Sequence, residues 1–265
     1  MAQLDYLSVN LKAWNDSVDI HVKSDFYFVD AFRKGKTSLN SIELELLGDV
    51  TGKKILHLQC HFGQDTLSLE RLGGITTGVD FSDKAIDTAN ALKQEFGLRS
   101  EFIVSDVYNL PEHLFGQFDV VFTTYGALGW LPDMKCWAAV VSKCLKQGGK
   151  LILVEFHPVV WIFDNAFTRV QYSYFNRETI VETEQGTYAD PAANITKTTM
   201  TWNHPLSDVI GGLLENGLAV NDFKEYDYAP YNCLQNMVEV SPGRFQIKTM
   251  EGKMPLLYSI VAIKS

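Results

Sequence analysis

Apolar runs and amphipathic stretches alternate through the middle of the chain. Lys54–Leu58 is a short apolar run with a β-branched residue, and it ends at a loop that Gly63 closes. Asp65 is placed to cap a helix whose Leu67, Leu69 and Leu72 share one face, with Gly73 and Gly74 as its stop. Residues 75–79 make a second strand that ends in Asp80. Strand, helix and strand in this order form a βαβ unit, whose parallel strands join by a right-handed crossover.

The alternation continues. Residues 82–97 read as a helix with Ala85, Ile86, Ala89 and Leu92 at helical spacing and Gly97 as its stop. Glu101–Val104 is a third strand with Asp106 just beyond it. Phe118–Thr124 is a fourth, and 133–145 a helix with Trp137, Val140, Val141 and Leu145 on one face. Gln147, Gly148 and Gly149 form a turn into a fifth strand at 150–156. Period-two alternation over 179–184 and 195–202 predicts an antiparallel hairpin. A helix from 204 to 214, ended by Gly217, precedes two last strands at 218–228 and 256–263.

Two stretches fall outside this rhythm. Within residues 1–50, Trp14, Asn15, His21, Phe26, Tyr27 and Phe28 crowd together ahead of the helix-like SLNSIELELLGDV. That aromatic density predicts helices across the sheet edge, although core packing also uses aromatics. The connection at 158–203 is long, and long insertions in compact domains are commonly lids or binding loops.

With 265 residues, 46% of them hydrophobic, the chain can bury one sizeable core. A formal charge of −9 argues against a nucleic-acid partner, which would require a basic face. The four cysteines, Cys60, Cys136, Cys144 and Cys233, show no metal-ligand spacing and fit a reduced, cytoplasmic protein. Asp5 interrupts any leader-like start, and no apolar run is long enough to span a bilayer, so no membrane partner and no metal site are expected.

The chemistry follows from the loop after the first strand. Asp80 lies 17 residues after Gly63, near the spacing of roughly 20 expected for a carboxylate that accepts from ribose hydroxyls. Free N–H groups at the helix start can hold a carboxylate or phosphate. A nucleoside with an acidic tail fits both. The loop lacks the Gly-Lys-Ser/Thr ending of a P-loop and a clean G-x-G-x-x-G, which disfavours a dinucleotide.

Residues 53–156 resemble a class I S-adenosylmethionine-dependent methyltransferase. ILHLQCHFG is similar to that family's first motif and GVDFS to its acidic second. VSDVYNLP is similar to the third, FDVVFTTYGALGWLPD to the fourth, and LKQGGKLILVEFHP to the turn and fifth strand. The closest resemblance is to a small-molecule branch with an LQCHFG first motif. It implies a Rossmann-like α/β fold: a doubly wound, mostly parallel seven-stranded sheet with the last strand antiparallel. A helical lid would occupy 1–50, and the methyltransferase domain 51–265, with a substrate-side β insertion at 158–203.

The resemblance also implies S-adenosylmethionine as cofactor, S-adenosylhomocysteine as product, and a small-molecule acceptor. Cofactor contacts would come from Gln59, His61, Gly63, Asp80, Phe81, Asp106, Val107 and Thr124, with Asp106 facing the adenine amino group. The family usually has an acid at the place of His57 and glycines at Gln59 and His61. Non-glycine residues there imply ordinary backbone dihedrals and side chains bordering the methionine moiety. Where nucleic-acid and protein-amide methyltransferases carry an Asn/Asp-Pro-Pro-aromatic tetrad, this chain has Thr124, Tyr125 and Gly126, which argues against a DNA base as acceptor.

A proton acceptor is needed only for a protonated nucleophile. His21, Tyr125, His157 and His204 are the candidates, His157 first by position, since Pro158 holds it extended at the end of the fifth strand. Tyr228, Tyr231 and Arg244 are candidate lining residues without a motif. A non-catalytic binder of the same cofactor and a protein methyltransferase remain alternative readings of these motifs.

Overall fold

The computed structural model describes residues 5–175 and 177–265. Helix α1 (Tyr6–Lys23) begins at Asp5, whose carboxylate accepts the Leu7 amide. α2 (Val29–Arg33) and α3 (Ser41–Leu47) follow. Then come β1 (Lys54–Leu58), α4 (Gln64–Arg71), β2 (Ile75–Asp80), α5 (Asp83–Glu95), β3 (Glu101–Val104), β4 (Phe118–Thr124), α6 (Met134–Cys144) and β5 (Leu145–Phe156). The chain continues through β6 (Ile180–Gln185), β7 (Thr196–Thr201), α7 (Leu206–Glu215), β8 (Leu218–Tyr226), β9 (Met237–Ser241), β10 (Arg244–Ile247) and β11 (Leu257–Lys264).

Seven strands form one sheet in the order β3-β2-β1-β4-β5-β11-β8. β1 to β5 pair in parallel, and β11 runs antiparallel to both of its neighbours. This is the mostly parallel, doubly wound sheet expected from the sequence. The order in which strands are added reverses between β1 and β4, which opens a crevice at the carboxyl edge where such folds bind ligands.

Consecutive residues on a strand point to opposite faces. Ile55 therefore joins Leu47, Leu69, Phe122 and Ile152 under α3 and α4. Its neighbour Leu56 joins Val121, Trp137, Leu151 and Leu213 under α6 and α7. Burial on both faces explains why the central strands read as continuous apolar runs rather than as alternation.

Three boundaries differ from expectation. The cap of α4 is Gly63, at φ 75°, and Asp65 lies two residues further on as a first-turn acid. A left-handed residue can start this helix because the loop enters at a sharp angle, and Asp65 then lies near the positive end of the helix dipole. β5 begins at Leu145 rather than 150: Leu145 pairs with Phe118 and Lys150 with Val120, so the glycine turn is an irregularity within the ladder. The β9–β10 hairpin was not anticipated, although Pro242 and Gly243 (φ 68°) are ordinary turn residues.

Gly63 also has no room for a side chain. An added Cβ would lie 2.5 Å from the Phe102 ring and 2.9 Å from Ala89. Gly63→Ala is expected to destabilise the fold by about 2–4 kcal/mol, combining overpacking with a left-handed backbone. Chemical denaturation would measure this, and an unchanged midpoint would contradict it.

Candidate functional site

The loop between β1 and α4 is held in an unusual backbone conformation. Gln59 (φ 56°) and His61 (φ 50°) both occupy the left-handed region, as does Gly63. The expectation of ordinary dihedrals at Gln59 and His61 is thus corrected. A non-glycine residue there costs roughly 1–2 kcal/mol, so other contacts must impose it. The Cys60 amide donates to the Val79 carbonyl at 2.9 Å. The His61 amide donates to Asp80 Oδ2 at 2.8 Å, and Gln59 Nε2 donates to the Ala127 carbonyl at 2.7 Å. Side chains available only on non-glycine residues therefore help fasten the loop.

Asp80 ends β2 and is buried. Its second oxygen accepts the Ser82 amide at 2.9 Å. Burial raises its pKa to about 6, against the opposing effect of the backbone donors. Phe81 is half-buried beside it. Asp106 accepts from the Tyr108 amide at 3.2 Å and Asn109 Nδ2 at 2.9 Å, capping a short 3₁₀ turn that buries Val107. Thr124 closes β4 at the same edge.

The loop after β4 is fastened by a residue the sequence reading passed over. Glu155 of β5 is buried, and its carboxylate accepts four backbone amides: Gly126 at 2.5 Å, Ala127 at 2.8 Å, Leu128 at 3.0 Å and Phe156 at 2.6 Å. Burial raises its pKa and the amides oppose that rise. The only sequence signal was an acid inside an otherwise apolar strand. Glu43, a second buried acid, accepts from Asn40 and from the Tyr125 hydroxyl at 2.6 Å. Its spacing from Asn40 is the capping-box pattern, which could have marked it.

The N-terminal helices cover the crevice. Asn15 of α1 donates to Asp83 Oδ1 at 2.7 Å and accepts from Ser82 Oγ at 2.6 Å, latching α1 to the start of α5. Asn10 exchanges two hydrogen bonds with Met200 of β7. The Trp14 ring stands between His61 (4.9 Å) and Trp130 (5.1 Å), over the β1–β4 crevice. Tyr27 and Tyr188 meet hydroxyl to hydroxyl. His21 Nδ1 lies 2.9 Å from His61 Nε2, and burial lowers both imidazoles, His21 to about 3, so both are neutral at physiological pH.

The four candidate proton acceptors do not converge. His21 faces His61, and Tyr125 faces Glu43. His157 has its Nδ1 bound by the Val159 amide and its Nε2 3.0 Å from Glu225 of β8. His204 Nε2 donates to the Leu131 carbonyl at 2.7 Å, which leaves the Nδ1 lone pair free of the proton. His57 bonds Thr66 at 2.8 Å and is kept neutral by burial. Tyr231 packs edge-on against Tyr125 at 5.4 Å, whereas Arg244 lies over Tyr228 and beside Asp227.

Three buried polar atoms around the crevice have no partner among the described residues: Gln59 Oε1, His61 Nδ1 and His21 Nε2. Buried polar atoms are ordinarily hydrogen-bonded. A polar group between α1 and the β1 loop would satisfy them, as the amino-acid end of an adenosyl sulfonium compound would.

The sheet order, the antiparallel β11 and the acid-ended β2 make this the Rossmann-like fold of class I S-adenosylmethionine-dependent methyltransferases. Residues 55–149 match the family model described as a methyltransferase domain. A demethylmenaquinone methyltransferase of Lactococcus lactis is 36% identical over 129 residues, covering 47% of this chain and 50% of that protein. A ubiquinone biosynthesis O-methyltransferase of Xanthomonas euvesicatoria is 27% identical over 146 residues, covering 54% of this chain and 61% of that one. The chain thus spans about half to three-fifths of these relatives' length. Magnesium protoporphyrin IX methyltransferase from Synechocystis, solved with bound SAM, superposes with a TM-score of 0.59 at 16% identity over 100% of both chains, a likeness of fold. No described helix is long and apolar enough to cross a membrane.

Glu155→Gln keeps the shape but sets an NH₂ group among backbone donors. It is expected to cost about 2–4 kcal/mol, since each unsatisfied buried group costs about 1–3. Hydrogen exchange should quicken at Gly126, Ala127 and Leu128, and protection equal to wild type would refute the clamp.

Proposed function

We propose that the chain is an enzyme that transfers a methyl group from S-adenosylmethionine to a small-molecule acceptor, with S-adenosylhomocysteine as product. The observation that carries this reading is the set of three unpartnered buried atoms at the β1–β4 crevice, beside an acid that ends β2. The methyltransferase relatives support it over the matched stretch. In this reading Asp80 accepts from the ribose, Asp106 faces the adenine amino group with Val107 and Phe81 along the ring, and Gln59, His61, Gly63 and Thr124 border the methionine end. Residues 5–50 serve as a lid, and 158–203 as the acceptor-side insertion.

The bound cofactor supplies a methyl group on a sulfonium that departs as a neutral sulfide. The chain's own contribution is then alignment and the exclusion of water, worth up to roughly 7–11 kcal/mol in favourable intramolecular models. Trp14, Trp130 and Tyr188 form the roof that would exclude water. Of the four candidate bases, His21 is the one in contact with the cofactor loop, which favours it, with Tyr125 next through its Glu43 partner. His157→Gln should leave turnover unchanged across pH, and a collapse of turnover would return that residue to the mechanism.

Calorimetry with S-adenosylhomocysteine tests the cofactor site. Asp80→Ala should weaken binding by about 1.5–3 kcal/mol, the range for hydrogen bonds to a charged group. The effect of pH has a definite sign. Burial raises Asp80 to about 6 from 3.8, so the ligand-free fold favours the protonated acid. That contribution to stability is complete below pH ~4 and is lost as pH rises through ~6. Ribose hydroxyls donate to the ionised form. Affinity should therefore fall about tenfold from pH 7 to pH 5 in wild type and stay flat in Asp80→Asn. Absence of any binding would sink the reading. Tight binding with no methylated product across a broad acceptor set would leave a non-catalytic binder.

A further inference from the structure

Helix α1 fills the crevice that the methyltransferase reading assigns to the cofactor. Trp14 stands between the rings of His61 and Trp130, and His21 abuts His61. The space left beside Trp14, His21 and Tyr188 is about 10 Å³. The space beside Phe156, Trp202 and Asn203 is about 20 Å³. Each holds about one water, whereas a site for a small-molecule ligand needs about 300 Å³ or more. An adenosyl compound enters this crevice only if the plug leaves it.

The contacts of the N-terminal segment show which part can leave. α1 is latched to the start of α5 by polar groups. Asn15 bonds Ser82 and Asp83, and Asp19 pairs with Lys84 at 2.7 Å on the surface. Water can replace the partners in such contacts, so the latch opens at modest cost. The next two helices are held differently. Phe32 of α2 packs with Phe62, Leu67 and Leu92, and Leu47 of α3 packs with Ile55 and Phe122. Those helices stay with the sheet. In the turn that joins α1 to α2, Phe28 is exposed and left-handed at φ 48°, a place where a change of direction can be absorbed.

The β6–β7 hairpin is tied to α1. Its two strands pair with each other and with no further strand among the described residues. A lone two-stranded hairpin is marginal in water, so it needs a cover. α1 supplies it. Asn10 is 1% exposed, and its side-chain amide exchanges two hydrogen bonds with the Met200 backbone, at 2.8 and 2.9 Å, as a neighbouring strand would. Tyr6 stands edge-on to Trp202 at 5.3 Å. Parting these elements would strand a buried amide, so the hairpin travels with the helix. At its end, the Trp202 amide donates to the Gly129 carbonyl at 2.8 Å and serves as a second pivot.

We propose that α1 and the β6–β7 hairpin form one gate, plugged shut by Trp14, which swings as a unit to admit the cofactor and then reseats over it. The inference rests on the methyltransferase reading. It narrows the moving lid from residues 5–50 to α1 and joins to it the hairpin of the acceptor-side insertion. Entry of the cofactor thereby resets a wall on the acceptor side. The latch works against binding, because ligand meets only the open fraction of the protein.

Two measurements test the gate. In stopped flow, tryptophan fluorescence follows entry of S-adenosylhomocysteine, because Trp14 leaves its place between His61 and Trp130. Loosening the latch should speed entry, by about five- to tenfold in Asn15→Ala and about twofold in Lys84→Ala, as modest polar contacts imply. If neither variant speeds entry, the gate is overturned. Hydrogen exchange on the unliganded full chain tests the unit. Asn15 bonds to the start of α5, yet Asn15→Ala should quicken exchange in β6 and β7 as well as α1, by like factors, and leave β1 and β4 unchanged. Quickening confined to α1 overturns the proposal, as does an equal rise throughout the sheet, which is plain loss of stability. If wild type binds no S-adenosylhomocysteine, the methyltransferase reading fails by itself, and the exchange pattern still decides whether α1 and the hairpin open together.

Discussion

The hydrogen bond from the His61 amide to the Asp80 carboxylate is the constraint on which the rest of the site depends. It ties the loop after β1 to the end of β2 across a buried gap. Without it, a histidine in the left-handed region would relax to an ordinary conformation and carry its side chain away from the crevice. The same carboxylate takes the Ser82 amide and so sets the start of α5. Ser82 in turn caps that helix and accepts the Ala85 amide, while its hydroxyl donates to Asn15 of α1. One buried acid thereby fixes a loop, a helix start and, at one remove, α1.

Glu155 plays the corresponding part on the other side of the crevice. Four backbone donors converge on it, and three come from the loop after β4. Gln59 then joins the two halves, because its amide reaches the Ala127 carbonyl. The edge of the sheet is thus preorganised by side-chain-to-backbone bonds rather than by the tight glycines usual in such loops. This also explains how the chain dispenses with glycine at positions 59 and 61. The strain of two left-handed residues is offset in part by bonds that glycine could not make, from the Gln59 side chain to Ala127 and between the His61 and His21 rings.

The fold was legible because local signals agreed. Apolar runs of strand length, helical spacing between them, and Gly or Ser at the boundaries all predicted the same βαβ order, and the sheet bears it out, while the antiparallel β11 was implied by the family resemblance alone. The misses are of one physical kind. Asp65 as a cap, the ordinary dihedrals at Gln59 and His61, and the roles of Glu43 and Glu155 depend on partners 27 or more residues away in most cases, as with Tyr125 and Glu43, which are 82 apart. No local pattern encodes such pairs. The proximity of His21 and His61, 40 residues apart, was equally invisible, although each was singled out separately. The β9–β10 hairpin is the exception, because its Pro-Gly turn is local and stood in plain view.

The buried acids bear on how such a site could tolerate its proposed ligand. Glu43, Asp65, Asp80 and Glu155 are all raised by burial. A sulfonium is a cation, and bare carboxylates around it would stabilise the bound cofactor more than the transition state, in which the positive charge is already fading. That would slow the reaction, since only interactions stronger in the transition state accelerate it. In this protein the acids are not bare. Asp80 and Glu155 are engaged by backbone amides, Glu43 by Asn40 and Tyr125, and Asp65 sits in the first turn of α4, near the positive end of the helix. Their charge is dispersed into the scaffold, so they hold geometry without clamping the cation. The acidic balance of the chain can therefore coexist with a cationic donor at the edge of the sheet, because the carboxylates nearest the site are bound to the protein itself.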